Sequence, residues 1–310
     1  MRPDPGGRPG AVRVRSAAKI NLHLGVGAPR DDGFHPLDTV YQAVSLYDDL
    51  TASRADDWSV TTRTAVHLGD VALPGPGDNI VDRVAELLCA TRCDEGCRPT
   101  ARVEIDKTIP VAGGMAGGSA DAAAALVALD RLWDLRTPDD ALLDLAAQLG
   151  SDVPFALVGG TAHGLGRGEV VTAVEDHGSW AWVVVPDTGG LSTPAVYRHW
   201  DTLFPDAPAT PAPAQPVLTA LASGDPMALA AALRNDLEAA AVDLRPDLGE
   251  LIARGEAEGA LRGMVSGSGP TCVFLCESPE AARDVATALS ATRDVVLTAH
   301  GPVAGAHLLG

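Results

Sequence analysis

The chain has 310 residues, of which 46% are hydrophobic and 21% charged, and its formal net charge is −18. This length and composition are typical of a soluble globular protein with two domains. The acidic excess argues against nucleic acids and anionic membranes as partners, because both carry negative charge. A phosphate-bearing substrate would then need a local site made of backbone N–H groups and a few placed cations.

The N-terminal sequence MRPDPGGRPG lacks the apolar stretch of a signal peptide, and no run of the chain is long enough to span a membrane. These features predict a cytoplasmic protein with a flexible tail at residues 1–11. The five cysteines are Cys89, Cys93, Cys97, Cys272 and Cys276. Their spacing does not match the common zinc patterns, so we interpret them as reduced thiols with no assigned role.

The sequence patterns of the first half predict two strands, a glycine-rich loop and two helices. Alternating apolar and polar residues indicate a strand from residue 12 that stays extended to residue 24, followed by a turn at 30–33. A second strand at 102–106 leads into a glycine-rich loop. Helical periodicity then predicts one helix at 119–133 and another from Pro138 to about residue 149.

The second half mixes strands and helices without a strict βαβ order, which favours an α+β fold over a doubly wound sheet. We expect domains at 12–165 and 166–310. The predicted elements are a strand at 182–185, an exposed Pro/Ala-rich loop at 205–216, helices at 226–241 and 247–258, a glycine-rich turn at 263–269 and a strand at 271–275.

The loop from Pro110 to Ser119, PVAGGMAGGS, is the most informative segment. Glycines allow positive φ angles and close approach of a ligand, and the following helix offers unpaired N–H groups at the positive end of its dipole. This combination suits a nucleotide polyphosphate. The segment matches neither a P-loop nor a dinucleotide fingerprint, and a tight strand-to-helix connection without a ligand explains it equally well.

Three further segments carry candidate chemistry, and each has a structural alternative. Lys19 interrupts an apolar strand close to Asn21, and it is either paired with an anion or extended towards solvent. Asp152 precedes an apolar helix, and it is either a general base or an N-cap. Residues 266–270, SGSGP, form either a site loop or an ordinary turn.

Four segments, which in chain order are those around Lys19, at 110–119, around Asp152 and at 266–270, together resemble the galactose, homoserine, mevalonate and phosphomevalonate kinases. The chain is most similar to the 4-diphosphocytidyl-2-C-methyl-D-erythritol kinases of non-mevalonate isoprenoid biosynthesis, over residues 12–277. The segments that carry this closer resemblance are AKINL at 18–22, DGFHPL at 32–37, IDKTIP at 105–110, GGTA at 159–162, GRGE at 166–169 and STP at 192–194.

The resemblance implies an ATP-dependent kinase with an N-terminal domain like ribosomal protein S5 domain 2 and a C-terminal ferredoxin-like domain. Asp152 would take the proton from the 2-hydroxyl of cytidine diphosphate methylerythritol, and Lys19 would keep Asp152 ionised. Mg²⁺ would accompany ATP. The implied substrate-binding residues are Asn21, Phe34, His35, Thr193 and Tyr197, with the rings of Phe34 and Tyr197 on either side of the cytosine.

The implied ATP-binding residues are Asn79, Lys107, Pro110, Val111, Ala112, Gly113, Gly114, Met115, Ala116, Gly117, Gly118 and Ser119, of which Ser119 could also meet the metal. The chain departs from the family at four positions. Phe34 replaces a tyrosine, Ala112 and Ala116 replace loop glycines, and Ala120 replaces a second loop serine. Another kinase of the superfamily, of the homoserine or mevalonate type, and a non-catalytic nucleotide-binding relative remain as alternatives, and both a monomer and a homodimer remain open.

Overall fold

The structure is a computed structural model that describes residues 10–69, 73–75, 77–92, 99–111, 113–187 and 189–310. Most of the predicted N-terminal tail, two of the cysteines and one predicted ATP-binding residue lie outside the described residues. These are residues 1–9, Cys93, Cys97 and Ala112.

The strands of the described residues form two sheets. In chain order they are β1 (Val12–Val26), β2 (Leu37–Ser53), β3 (Ser59–Thr64), β4 (Arg102–Lys107), β5 (Thr161–Gly166), β6 (Val170–Ala173), β7 (Trp180–Val185), β8 (Arg234–Asn235), β9 (Arg262–Val265), β10 (Cys272–Cys276), β11 (Leu297–Gly301) and β12 (His307–Leu308). The first sheet has the order β12-β1-β2-β4-β3, with β5 beside β2, β6 beside β5 and β8 beside β1. The second sheet has the order β11-β7-β10-β9 and is antiparallel throughout.

The helices cover these sheets. They are α1 (Ile80–Arg92), α2 (Gly117–Leu132), α3 (Asp139–Leu149), α4 (Val153–Val158), α5 (Thr193–Leu203), α6 (Gln215–Ser223), α7 (Pro226–Ala232), α8 (Glu238–Leu244), α9 (Pro246–Ala257) and α10 (Pro279–Leu289), with a short 3₁₀ helix at Val66–Leu68. Among the described residues, none of the helices has the length and apolar character needed to cross a membrane.

Two long antiparallel strands, β1 and β2, form the centre of the first sheet and pair from Val12 opposite Ala52 to Val26 opposite Leu37. Successive side chains of a strand point to opposite faces. Ile20 belongs to the buried cluster shared with the second sheet. The residues on either side of Ile20, which are Lys19 and Asn21, therefore point to the other face of β1.

Helix α2 packs against the first sheet through an alanine-rich surface. Ala122, Ala125, Leu126 and Leu129 are fully buried in one cluster with residues of β1, β2, β4 and α1. Because alanine side chains are small, the helix axis can lie close to the sheet. The glycine-rich segment before Gly117 is thereby held at the sheet edge where β4 ends.

The predicted α+β fold is confirmed, and the predicted helices at 119–133, 138–149 and 247–258 correspond to α2, α3 and α9. The division at 165/166 stays a prediction; it falls inside β5, and β6 extends the first sheet to Ala173.

The single helix predicted at 226–241 is wrong, because Arg234 and Asn235 leave the helical path to pair with β1. The Asn235 side chain donates hydrogen bonds to two backbone carbonyl groups, those of Val265 and Gly267, at 2.8 Å each. These contacts favour the interruption over a continuous helix.

Candidate active site

A cavity of about 900 Å³ brings together most of the residues that the sequence singled out. Its lining includes residues from all four motif segments. The predicted site residues that line it are Lys19, Asn21, Phe34, His35, Pro110, Gly113, Gly114, Ala116, Gly117, Gly118, Ser119, Asp152, Thr193 and Tyr197. Segments more than 200 residues apart in the chain therefore share one site.

Lys19 reaches this cavity from β1 and is held there by a chain of hydrogen bonds. Its side chain is 8% exposed, and its Nζ donates to Asn21 Oδ1 at 2.7 Å. Asn21 Nδ2 in turn donates to Thr39 Oγ1 at 2.9 Å, and Thr39 Oγ1 donates to the carbonyl oxygen of His23 at 2.6 Å. The network fixes the position of the ammonium group with few rotamers left to it.

Asp152 lies beside Lys19, with 3.7 Å between Asp152 Oδ2 and Lys19 Nζ. Asp152 occupies the N-cap position of α4, but its side chain makes no capping hydrogen bond there. The N-cap alternative therefore does not account for this carboxylate. It is free to face the cavity, where a base that accepts a hydroxyl proton would have to be.

Tyr41 is a cavity residue that the sequence analysis missed. It lies opposite Asn21 in the β1–β2 pairing, and its ring centroid is 5.5 Å from Lys19 Nζ. Burial, followed by the negative charge of Asp152, raises the pKa of the Tyr41 hydroxyl well above its usual value. The phenol thus stays neutral beside the Lys19–Asp152 pair. Only the β-pairing, which the local pattern does not reveal, brings it there.

The glycine-rich loop ends in the first turn of α2, which begins at Gly117. A Cβ at Gly118 would meet no protein atom within 4 Å, so the backbone here is open to a ligand. Ala116, which replaces a family glycine, has the left-handed conformation with φ 55°. Met115 is fully buried in the core below the loop. Exposed N–H groups at a helix N-terminus suit a phosphate.

The second glycine-rich turn, at residues 266–269, packs directly on the first loop. Ser266 Oγ donates to the carbonyl oxygen of Gly114 at 3.2 Å, and a Cβ on Gly114 would lie 2.2 Å from the carbonyl oxygen of Ser266. Ser268 Oγ is 2.8 Å from Thr193 Oγ1 at the start of α5. The turn therefore links the phosphate side of the cavity to its α5 side.

We expect Gly114→Ala to lower the stability of the protein and Gly118→Ala to weaken ATP binding without loss of stability. Gly114 has φ +77°, where a side chain is strained, and its Cβ would strike the neighbouring turn. Gly114→Ala should therefore lower the melting temperature. Gly118→Ala should keep or raise it, because alanine favours a helix, yet the added methyl group would enter the open phosphate side.

Thermal unfolding and KM for ATP, measured on both variants, test this pair. Gly118→Ala should raise the KM without loss of stability. Equal melting temperatures for the two variants would contradict the packing argument.

The opposite end of the cavity carries aromatic residues. Phe34 is 51% exposed. His35 is buried, and its Nδ1 donates to the carbonyl oxygen of Gly27 at 2.8 Å. The His35 ring lies 4.9 Å from that of Tyr197, and its Nε2 is 3.6 Å from Oδ1 of Asp201, another cavity residue that the sequence analysis missed. Burial, then the charge of Asp152, raises the pKa of the Tyr197 hydroxyl.

Five predicted ATP-binding residues do not contribute to the cavity lining or are not described, and Lys107 is one of them. Asn79 caps α1, where its Oδ1 accepts from the backbone N–H of Val81 at 3.0 Å. Val111 and Met115 are not among the lining residues. Ala112 lies outside the described residues. The roles predicted for these residues stay predictions.

Lys107 lies below the loop rather than in the cavity. Its Nζ contacts two buried carboxylates, Asp48 Oδ2 at 2.6 Å and Asp121 Oδ2 at 2.7 Å. Asp48 Oδ1 also accepts from the backbone N–H groups of Thr108 and Ile109, at 2.6 and 2.8 Å. We call Asp48, Lys107 and Asp121 the buried triad. It joins the end of β4, before the loop, to the N-terminal part of α2, after it.

The described cysteines do not reach the cavity lining. Burial raises the pKa of the Cys272 thiol to about 12 and that of Cys276 to about 11. A buried thiol with a raised pKa is a poor nucleophile and a poor metal ligand. This state agrees with the interpretation of these two cysteines as reduced thiols.

Comparisons with known proteins find similarity to the kinases that the sequence motifs resemble. Residues 79–160 match the family model "GHMP kinases N terminal domain", and residues 217–294 match "GHMP kinases C terminal". The chain is 67% identical over 297 residues to 4-diphosphocytidyl-2-C-methyl-D-erythritol kinase of Nocardioides sp., covering 96% of this chain and 99% of that protein. It is 51% identical over 311 residues to the enzyme of the same name from Salinispora tropica, covering 98% and 96% of the two chains.

A solved structure supports the likeness in three dimensions. The crystal structure of a 4-(cytidine 5'-diphospho)-2C-methyl-D-erythritol kinase matches with a TM-score of 0.76 at 31% sequence identity. The match covers 93% of this chain and 98% of the other.

Proposed function

The chain belongs to the GHMP kinases, in the branch of the 4-diphosphocytidyl-2-C-methyl-D-erythritol kinases, and we propose that it transfers the γ-phosphate of ATP to the 2-hydroxyl of that substrate. The chain is thus a phosphotransferase of non-mevalonate isoprenoid precursor biosynthesis. We place the reaction in the cytoplasm, where ATP is available, with the protein as a monomer or a homodimer.

One observation carries the chemical part of the proposal. The Lys19–Asp152 pair and the open first turn of α2 line the same cavity. Phosphoryl transfer needs little covalent help from a protein, and it depends on positioning and on neutralising charge. A cavity that offers a base, a cation and a phosphate-binding helix N-terminus together supplies those elements.

In the proposed mechanism Asp152 accepts the proton of the substrate hydroxyl as the oxygen attacks the γ-phosphorus, while the bond between that phosphorus and the bridging oxygen of the β-phosphate breaks and ADP leaves. Lys19 places a fixed positive charge beside that carboxylate and near the transferred group. The backbone N–H groups at Gly117 and Gly118 bind the phosphate oxygens. Because each of these groups is held by the fold before substrate arrives, little reorganisation is required during the reaction.

The oxygen atoms at this end of the cavity fit Mg²⁺ as a partner of ATP. Mg²⁺ prefers hard oxygen ligands and keeps several from phosphate and water. Ser119, a cavity residue, carries a hydroxyl oxygen that could join them. When bound, the metal ion neutralises negative charge on the phosphates. Within the described part of the chain, no cluster of three or more His, Cys, Asp or Glu is arranged to hold a metal ion alone.

The aromatic end of the cavity supports the choice of a cytidine nucleotide. Phe34 and Tyr197 provide two rings for stacking on the cytosine. His35, in the loop between β1 and β2 and beside Tyr197, contacts the base edge in this proposal. In this proposal Asn21 and Thr193 orient the methylerythritol part, and both residues line the cavity. Stacking between aromatic rings contributes about 1 kcal/mol beyond the burial of their area, and it survives the replacement of the family tyrosine by Phe34.

The test is a phosphate-transfer assay with ATP and 4-diphosphocytidyl-2-C-methyl-D-erythritol, in which NMR locates the new phosphate. We expect transfer to the 2-hydroxyl, and homoserine in excess should neither be phosphorylated nor compete. ATP hydrolysis without a phosphorylated product, or preferential phosphorylation of homoserine, would contradict the proposal.

A further inference from the structure

The turn at residues 166–169, GRGE, belongs to the resemblance but has no role in the mechanism above. It connects β5 to β6 and is fixed by its own residues. The backbone N–H of Arg167 donates to Glu169 Oε2 at 2.5 Å. Gly166 and Gly168 have φ +77° and +100°, a region that favours glycine. The conformation therefore depends on the two glycines that flank the arginine.

Gly168 also ties this turn to the centre of the active site. A Cβ at Gly168 would lie 2.1 Å from the Tyr41 hydroxyl oxygen, so the turn packs closely on that buried phenol. Tyr41 contacts the Lys19–Asp152 region described above. The turn is thus docked against the wall of the cavity rather than projecting freely from a hairpin.

The docked turn places the Arg167 side chain against Phe34. The Arg167 guanidinium carbon lies 5.0 Å from the Phe34 ring centroid, within the range of a cation–π contact. Arg167 lines the cavity and its side chain is 38% exposed. Its closest acidic partner, Glu169, is 3.7 Å from Nε, which is too long for a hydrogen bond. Several guanidinium N–H groups therefore remain to be satisfied by water or a ligand.

Charge makes this arginine unusual in a chain with a net charge of −18. Among the described residues of the cavity lining, the lysine and arginine side chains are those of Lys19, Arg167 and Arg198. Lys19 is already engaged by Asn21 and Asp152. Arg198 is exposed on α5, whereas Arg167 is held beside the ring proposed to stack on the base.

We propose that Arg167 binds the diphosphate of the cytidine diphosphate substrate and so helps to select a nucleoside diphosphate ester. The inference rests on the proposed function. In such a substrate the diphosphate is separated from the base by one ribose. Arg167 contacts one face of the Phe34 ring, so a base stacked on the other face would be separated from Arg167 by that ring. Its planar guanidinium can stack on Phe34 while the N–H groups along its edge bind two phosphate oxygens, a geometry that lysine cannot reproduce.

The experiment measures binding of cytidine and of cytidine 5'-diphosphate to the whole protein by calorimetry, without ATP. Arg167→Gln should raise the Kd for cytidine 5'-diphosphate about tenfold or more and leave the Kd for cytidine within about twofold, as expected for loss of one charged hydrogen-bonding group. Arg167→Lys should give an intermediate loss for the diphosphate only. In the kinase assay KM for the cytidine substrate should rise while KM for ATP stays unchanged.

Arg136→Gln is the matched control, because this arginine is 81% exposed, pairs with Asp134 and is not part of the cavity lining. It should change neither Kd. Equal weakening of cytidine and of the diphosphate would show that Arg167 acts only through Phe34, and no weakening of either would also overturn the inference. Failure of the unmodified protein to phosphorylate its cytidine substrate would instead refute the proposed function.

Discussion

Replacement of Asp152 by asparagine is expected to lower kcat about 100-fold or more, the usual scale for loss of a general base. Asparagine has nearly the same shape, so the cavity keeps its form, but an amide cannot accept the hydroxyl proton. KM for ATP should change little, because the phosphate-binding backbone at Gly117 and Gly118 is not altered. Steady-state kinetics with both substrates, together with a melting curve, would measure these effects.

Asp144→Asn provides the control for this substitution. Asp144 is an exposed carboxylate on α3, outside the cavity lining, and the chemical change is the same. The control should keep full activity. A wild-type kcat for Asp152→Asn would remove Asp152 from the mechanism, whereas an equal loss in both variants would point to a general effect of charge.

The parts of the site that could be predicted from the sequence are those whose signals lie close together in the chain. The loop before Gly117 combines glycines with a following helical pattern, and both signals lie within about ten residues. Lys19 is a charged residue in an apolar strand, and the local pattern left open whether it pairs with an anion or extends towards solvent. The resemblance to known kinases then linked Lys19 to Asp152, which the pattern of either segment alone could not do.

The missed residues depend on long-range pairing. Tyr41 enters the cavity because β2 pairs with β1 in a register that sets it opposite Asn21. Arg167 enters because a hairpin turn docks on Tyr41. Neither contact leaves a periodic signal near the residue itself. The helix predicted across Arg234 failed for the same reason, since local helical preference was overridden by pairing with β1.

Lys107 was predicted to bind ATP, but residues distant in the chain hold it outside the cavity. The sequence places it just before the loop, and the resemblance suggests a contact with the nucleotide. The structure instead surrounds its ammonium group with Asp48, which is 59 positions away, and Asp121, which is 14 positions away. Burial alone would lower the pKa of Lys107, but the two carboxylates outweigh burial and raise it.

Lys107→Met is accordingly expected to be the most destabilising single change considered. It leaves Asp48 and Asp121 close together, buried and without the cation that both contact, so the folded protein must either keep a proton on one of the two carboxyl groups or bury two like charges. Breaking a buried ion pair on one side costs about 3–5 kcal/mol in the free energy of unfolding. Chemical denaturation would measure this loss. A loss below about 1 kcal/mol would contradict the view that the buried triad holds the two ends of the loop together.

The double variant Lys107→Met/Asp121→Asn separates charge from packing. It removes the cation and replaces one of the two acidic groups by an amide, so no proton has to be kept between them, and it should be more stable than Lys107→Met alone. Asp48 keeps its backbone donors at Thr108 and Ile109 in either case. If the second substitution restores nothing, the loss in the single variant comes from missing side-chain contacts rather than from unpaired charge.

The pH dependence of stability gives an independent test of the buried triad. Burial, only partly offset by Lys107, raises the pKa of Asp121 from 3.8 to about 8. Between these values the folded protein keeps a proton that the unfolded chain has released. The contribution of Asp121 to the free energy of unfolding should therefore be highest below about pH 4 and should fall as the pH rises towards 8. Asp121→Asn should remove that slope, since the amide does not titrate, and an unchanged slope in the variant would assign the proton to another group.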